Sequence, residues 1–140
     1  MPTDEKLYLL AYRDTLNICS GQHNLARLMH LPETRRPEFS AYWQKRLALK
    51  RTYGRYVAAG LREGTFAGVE GALGTELVFA MVESTIEWFV RGRGKPVAAA
   101  KEVAEASLKL LLTNPRRLEK VIRAASARTQ TGPAVLHARP

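Results

Sequence analysis

At 140 residues, with 46% hydrophobic and 25% charged side chains, the chain has the composition of one ordinary globular domain, long enough to bury a core without disulfide or metal staples. A single cysteine, Cys19, excludes an intrachain disulfide framework; Asp4, Glu5 and Lys6 stand where a signal peptide would be basic and then apolar; no apolar run approaches the roughly 18 residues that cross a bilayer. These features predict a cytoplasmic protein without a membrane span, and its net charge of +9 is uneven: residues 115–140 hold six cations against Glu119, a net +5, leaving +4 for the first 114.

Thr3 can cap a first helix whose opening turn holds Asp4 and Glu5, the sign favoured at a helix N-terminus. Leu7, Leu10, Ala11 and Ile18 mark one face of that helix and Tyr8, Tyr12 and Leu16 a neighbouring one, so it is apolar over a wide arc up to residue 18, and Ser20-Gly21 ends it. A short helix over residues 22–31 follows, with Leu25, Leu28 and Met29 inward and Pro32 as its stop. Pro37 fits a first helical position, opening the longest helix, which runs to Glu63. Phe39, Trp43, Leu47, Val57 and Leu61 lie roughly in line on it, with Gln44, Lys45, Arg51, Arg55 and Arg62 outside. Gly64 can supply a left-handed C-cap, Gly60 is expected to permit close helix approach, and Phe66 is expected to tuck back after the cap.

Residues 71–113 read as the organising unit, two apolar helices joined by a short basic loop. Leu73, Leu77, Val78, Ala80, Met81, Val82, Ile86, Trp88 and Phe89 leave the first helix apolar around most of its circumference, so it needs cover on two sides. The second carries Val97, Ala100, Ala104, Leu108 and Leu111 as one clean stripe suited to packing on the first. The natural second cover is a copy of the same hairpin, which predicts a homodimer. Asn114-Pro115 then offers an N-cap and first position for a terminal helix with Leu118, Val121, Ile122 and Ala125 as its stripe. Arg116 and Arg117 in its first turn oppose the helix dipole, so it is expected to be the least stable helix, and residues 128–140 are expected to be a disordered tail. The fold class is therefore all-α, a bundle of about five to six helices with a C-terminal helical hairpin forming a four-helix dimer interface. No segment has strand period.

Ala59-Gly60-Leu61-Arg62-Glu63-Gly64-Thr65-Phe66, an apolar helix ending in Ile86-Glu87-Trp88-Phe89, a Gly-containing loop, and a second helix closing on Leu110-Leu111-Leu112 together resemble the C-terminal regulatory domain of TetR-type transcriptional repressors. The paired helices between Tyr8 and Leu31 are similar to those preceding the family's long helix, so the resemblance covers about residues 5–113. It implies a regulatory domain over residues 1–113, a basic amphipathic terminal helix over 114–127 and the tail beyond. It also implies a small-molecule effector pocket lined by Tyr8, Tyr12, Leu16, Leu28, Trp43, Leu47, Phe79, Val82 and Ile86, with the Tyr hydroxyls or Glu83 orienting a polar end. The implied dimer interface takes Leu73, Leu77, Met81, Trp88, Val97, Ala100, Ala104, Leu108 and Leu111. The family's N-terminal helix-turn-helix has no counterpart in this sequence, so DNA contact is expected only through a module not present in this chain.

For the pocket residues taken singly, plain core packing is the commoner role. Glu76, Glu83 and Glu87 share a stripe, spaced seven and four apart, and could read a ligand amine or pair with Arg13 or Arg55. Arg91-Gly92-Arg93-Gly94-Lys95 before a helix start could attract an anion, although a soluble turn is the ordinary explanation and the spacing is not that of a P-loop. Cys19, His23, His30 and His137 form neither a metal set nor a nucleophile with its base, so no cofactor, metal or enzymatic role is expected. The alternative function is a small basic helical protein binding nucleic acid or an acidic partner through residues 115–140.

Overall fold

The computed structural model describes residues 1–20, 37–91 and 94–130. Among these residues five α-helices follow in order: α1 (Thr3–Ser20), α2 (Ser40–Glu63), α3 (Gly71–Arg91), α4 (Pro96–Leu111) and α5 (Arg117–Gln130). A 3-10 turn, Pro37–Phe39, leads into α2. Among the described residues the only extended pairing is a bridge between Phe66 and Leu112. The all-α class thus follows from the three- and four-residue apolar spacing of every long segment. The expected short helix over residues 22–31, Leu28 included, lies outside the described residues.

The helix ends show how local chemistry sets the frame. Gly64 adopts φ 76°, the left-handed conformation that terminates α2, and its N–H donates to the Leu61 carbonyl at 3.3 Å. Phe66 then folds back, its N–H on the Gly60 carbonyl at 3.0 Å and its ring against Gly60 itself. A Cβ at position 60 would sit 2.0 Å from the Phe66 ring, so the glycine makes room for an aromatic side chain of its own turn, not for another helix. Ala67 N–H to the Leu111 carbonyl (2.8 Å) and Thr113 N–H to the Thr65 carbonyl (3.0 Å) fasten the end of α2 to the end of α4. Thr3 does not cap α1; its hydroxyl is engaged by the Glu63 carboxylate at 2.9 and 3.0 Å, tying the start of α1 to the end of α2.

The hub is α1, which packs on all four other helices and most extensively on α4. Small buried side chains allow this: Ala11 and Thr15 on α1, and Ala99, Ala100, Ala104 and Ser107 on α4. Here the sequence expectation is corrected. Ala100, Ala104, Leu108 and Leu111, assigned to a second copy, are fully buried within the lone chain, where α4 packs chiefly on the wide apolar arc of α1 and also on α3, with Leu111 beside Gly74. The helix α5 is likewise docked. Arg117 Nε reaches the fully buried Asp4 carboxylate at 2.8 Å, Arg128 Nε reaches Glu5 at 3.2 Å, and Val121 and Ala125 are buried beneath. Arg117 opposes the dipole of its own helix, but it compensates a carboxylate that would otherwise be buried alone. This helix runs to Gln130, past the expected start of a disordered tail, and residues 131–140 lie outside the described part.

Candidate functional site

Helices α2 and α3 form an antiparallel pair: Val57 packs near Gly74, Tyr53 against Phe79, and Arg46 on Glu83. Between them lies a cluster in which aromatic rings and ion pairs alternate. Arg46 Nε donates to Glu83 Oε2 at 2.7 Å while Nη2 donates to Oε1, a two-point fork on one carboxylate. The same guanidinium carbon lies over the Trp43 ring, 5.6 Å from its centroid, and over the Phe79 ring at 5.1 Å. Tyr42 meets Trp43 edge-on at 5.2 Å. One turn further along α2, Lys50 pairs with the more exposed Glu76 and its Nζ lies 5.9 Å from the Phe79 ring centre.

The cluster continues inward. Phe79 meets Tyr53 edge-on at 5.5 Å, and the Tyr53 hydroxyl donates to Asp14 Oδ2 at 2.8 Å on α1. Arg13 reaches the other Asp14 oxygen at 3.2 Å. Burial dominates at both ends of that bond. It raises the Asp14 carboxyl above its ordinary range despite Arg13 and the Tyr53 hydrogen bond, and it raises the Tyr53 phenol, with the Asp14 charge adding to the effect. Hydrogen bonding to Glu83 is the main cause that raises the Arg46 pKa, and burial raises that of Tyr42. Two further hydroxyls, Thr15 and Thr85, are fully buried with no hydrogen-bond partner among the described residues.

Of the pocket residues expected from sequence, Trp43, Phe79 and Glu83 come together here, while Val82 and Ile86 are buried on the same helix. Others do not join them. Tyr8 and Tyr12 stack on each other at 6.3 Å, and the Tyr8 hydroxyl feels Glu105 of α4, which with the larger effect of burial pushes its pKa to about 12. Leu16 is half-buried on α1, Leu47 is exposed, and Leu28 lies outside the described residues. Glu83 and Glu76 pair with Arg46 and Lys50, not with Arg13 or Arg55, whose side chains go to Asp14 and Thr52. Sequence reasoning missed Tyr42, Arg46, Lys50, Tyr53 and Asp14. A signal existed: residues 46, 50, 53 and 57 share one face of α2, and its two cations match two glutamates seven apart on α3.

The second feature is the outer face of α3. Leu73, Leu77 and Trp88 are 52%, 39% and 42% exposed, Ala80 is exposed between them, and Val97 at the start of α4 is 50% exposed. Met81 is half-buried beside this stripe, and the Trp88 indole N–H donates to Ser84 Oγ at 3.2 Å, holding the ring along the helix. Spacings of four, three, four and four along residues 73, 77, 80, 84 and 88 keep one face in register over four turns.

The remaining sequence candidates carry less. Cys19 is buried, and burial pushes its thiol up to about 11. His23, His30 and His137 lie outside the described residues, as do Gly92 and Arg93 of the basic turn, and among the described residues no group of His, Cys, Asp and Glu could hold a metal. No described helix is long and apolar enough to cross a membrane. The chain matches no family model, and no curated protein or solved structure is similar enough to register as a relative.

Proposed function

We propose that the chain is the effector-sensing, dimer-forming domain of a TetR-type transcriptional regulator, binding a small, mostly apolar ligand and pairing with a second copy of itself. The observation that carries this reading is the outer face of α3, where Leu73, Leu77, Ala80 and Trp88 stand in water as one stripe, with Val97 exposed at the start of α4. A stripe of this length on a small chain calls for an occupant, and a self-complementary helix face is what a two-fold dimer uses. The sensing part is the α2–α3 cluster, which shares α3 with that face. A ligand entering between Trp43 and Phe79 would alter how α3 sits on α2, and so would alter the angle presented to the partner subunit. DNA reading would belong to a helix-turn-helix module outside this chain.

The nucleic-acid reading through the C-terminal segment has less support. Arg117 and Arg128 of α5 are engaged with Asp4 and Glu5, and Arg123 lies 3.8 Å from Glu119, which leaves Lys120 on α5 and Arg116 just before it as the segment's unengaged cations among the described residues. The dimer reading is tested by light scattering coupled to size exclusion at micromolar concentration. Twice the chain mass is expected for the wild type, and the single-chain mass with unchanged far-ultraviolet circular dichroism for Leu77→Glu with Trp88→Glu. A monomeric wild type, or a dimer indifferent to both changes, would reject it.

A further inference from the structure

We propose that Arg46 is an intramolecular occupant of a cation site made by Trp43, Phe79 and Glu83, and that the effector which displaces it is an organic cation with a flat apolar body. This inference rests on the ligand-sensing reading of the same cluster and supplies its ligand class. Two ring faces and one carboxylate accepting a two-point fork are the groups that recognise a planar, delocalised cation. The site already holds such a cation, with its charge on Glu83 and its plane near two rings.

Which partner can leave decides the sign of the ligand. Arg46 and Lys50 balance Glu76 and Glu83, so the cluster is neutral as it stands. The Arg46 side chain is 30% exposed and that of Glu83 is 17% exposed. A long arginine can swing its head into water while its stem stays packed, whereas Glu83 would have to leave a deeper position on a shorter chain. Departure of Arg46 leaves Glu83 uncompensated, and an incoming cation restores neutrality. An incoming anion would have to displace Glu83 and would then lie near Glu76. The exchange also removes a tether, because Arg46 belongs to α2 and Glu83 to α3, and α3 carries the outer apolar stripe.

The test uses three probes of nearly one shape, benzamidine (cation), benzamide (neutral) and benzoate (anion), titrated into the folded chain. Binding is followed by the indole resonances of Trp43 and Trp88 and by calorimetry. Benzamidine is expected to bind best, with shifts at Trp43. Arg46→Ala and Arg46→Met, the second keeping the packed stem, should each tighten benzamidine by at least about tenfold, since an occupant of high effective concentration has been removed. Adding Glu83→Gln to either should abolish that gain. Benzoate binding more tightly than benzamidine, no gain in either Arg46 variant, or a gain that survives Glu83→Gln would overturn the proposal. Mass measured on the same samples separates the two readings. A dimer that ignores benzamidine sinks the cation site alone, and a monomer that binds it sinks the dimeric regulator and leaves the cation site standing.

Discussion

The two helices of the C-terminal hairpin invite direct comparison, since both carry apolar stripes of similar length in sequence. On α4 the stripe Ala100, Ala104, Leu108 and Leu111 is enclosed, chiefly by α1 and at Leu111 also by α3, and none of it meets water. On α3, Val78, Val82 and Ile86 face inward while Leu73, Leu77 and Trp88 remain exposed. The difference lies in how much of each circumference is apolar. A narrow stripe is fully enclosed by the neighbours it meets, but a helix apolar all round, packed on α1, α2 and α4, keeps a face that nothing among the described residues covers.

The comparison is broken most decisively by truncating one leucine from each face. Leu108→Ala removes a fully buried side chain and should cost roughly 2–5 kcal/mol of unfolding free energy, read by urea denaturation. Next in size is the clasp that holds α5 on α1. Arg117→Met leaves the buried Asp4 carboxylate without its partner. The loss should fall at the lower end of roughly 3–5 kcal/mol, because Arg117 is 37% exposed and water can partly replace it. Asp4→Asn in the same background should recover much of that loss.

A smaller effect belongs to Asp14. Its carboxyl is raised in the folded chain, so the native state binds a proton more tightly than the unfolded state. Stability should therefore fall as pH rises from the ordinary carboxylate range through the raised value, and Asp14→Asn should flatten that fall while leaving an acceptor for the Tyr53 hydroxyl. A pH series of urea midpoints checks this, and a wild type whose stability rises over that window would contradict it. The smallest effect is expected on the outer face: Leu77→Ala, studied dilute enough to be monomeric, should change stability by about 0.5 kcal/mol or less. A loss as large as that of Leu108→Ala would mean that the two faces are alike after all.

Local features were legible without the structure wherever the cause was local. The αL conformation of Gly64, the return of Phe66 and the end of α2 at Glu63 follow from caps, glycines and apolar period, whereas Pro37, expected to open α2, begins a 3-10 turn and the α-helix starts at Ser40. The candidate site was half legible: Trp43, Phe79 and Glu83 could be named from the resemblance, but not the Arg46 that lies against all three. An arginine beside Lys45 on a basic helix reads as a solvated charge until the facing helix supplies a carboxylate at its height. Thr3 misled for a related reason, since a distant glutamate competed for the hydroxyl that a local cap would have used.

By itself the amino-acid sequence determined that this protein is helical and where its main helices break, because those outcomes depend on backbone propensity and on spacing along one chain. Tertiary structure alone decided who covers whom. It laid α1 on α4, drew α5 onto Asp4 and Glu5, and set Arg46 against Glu83, because these contacts join residues 37 to 123 positions apart and are chosen by fit between surfaces that no local period encodes.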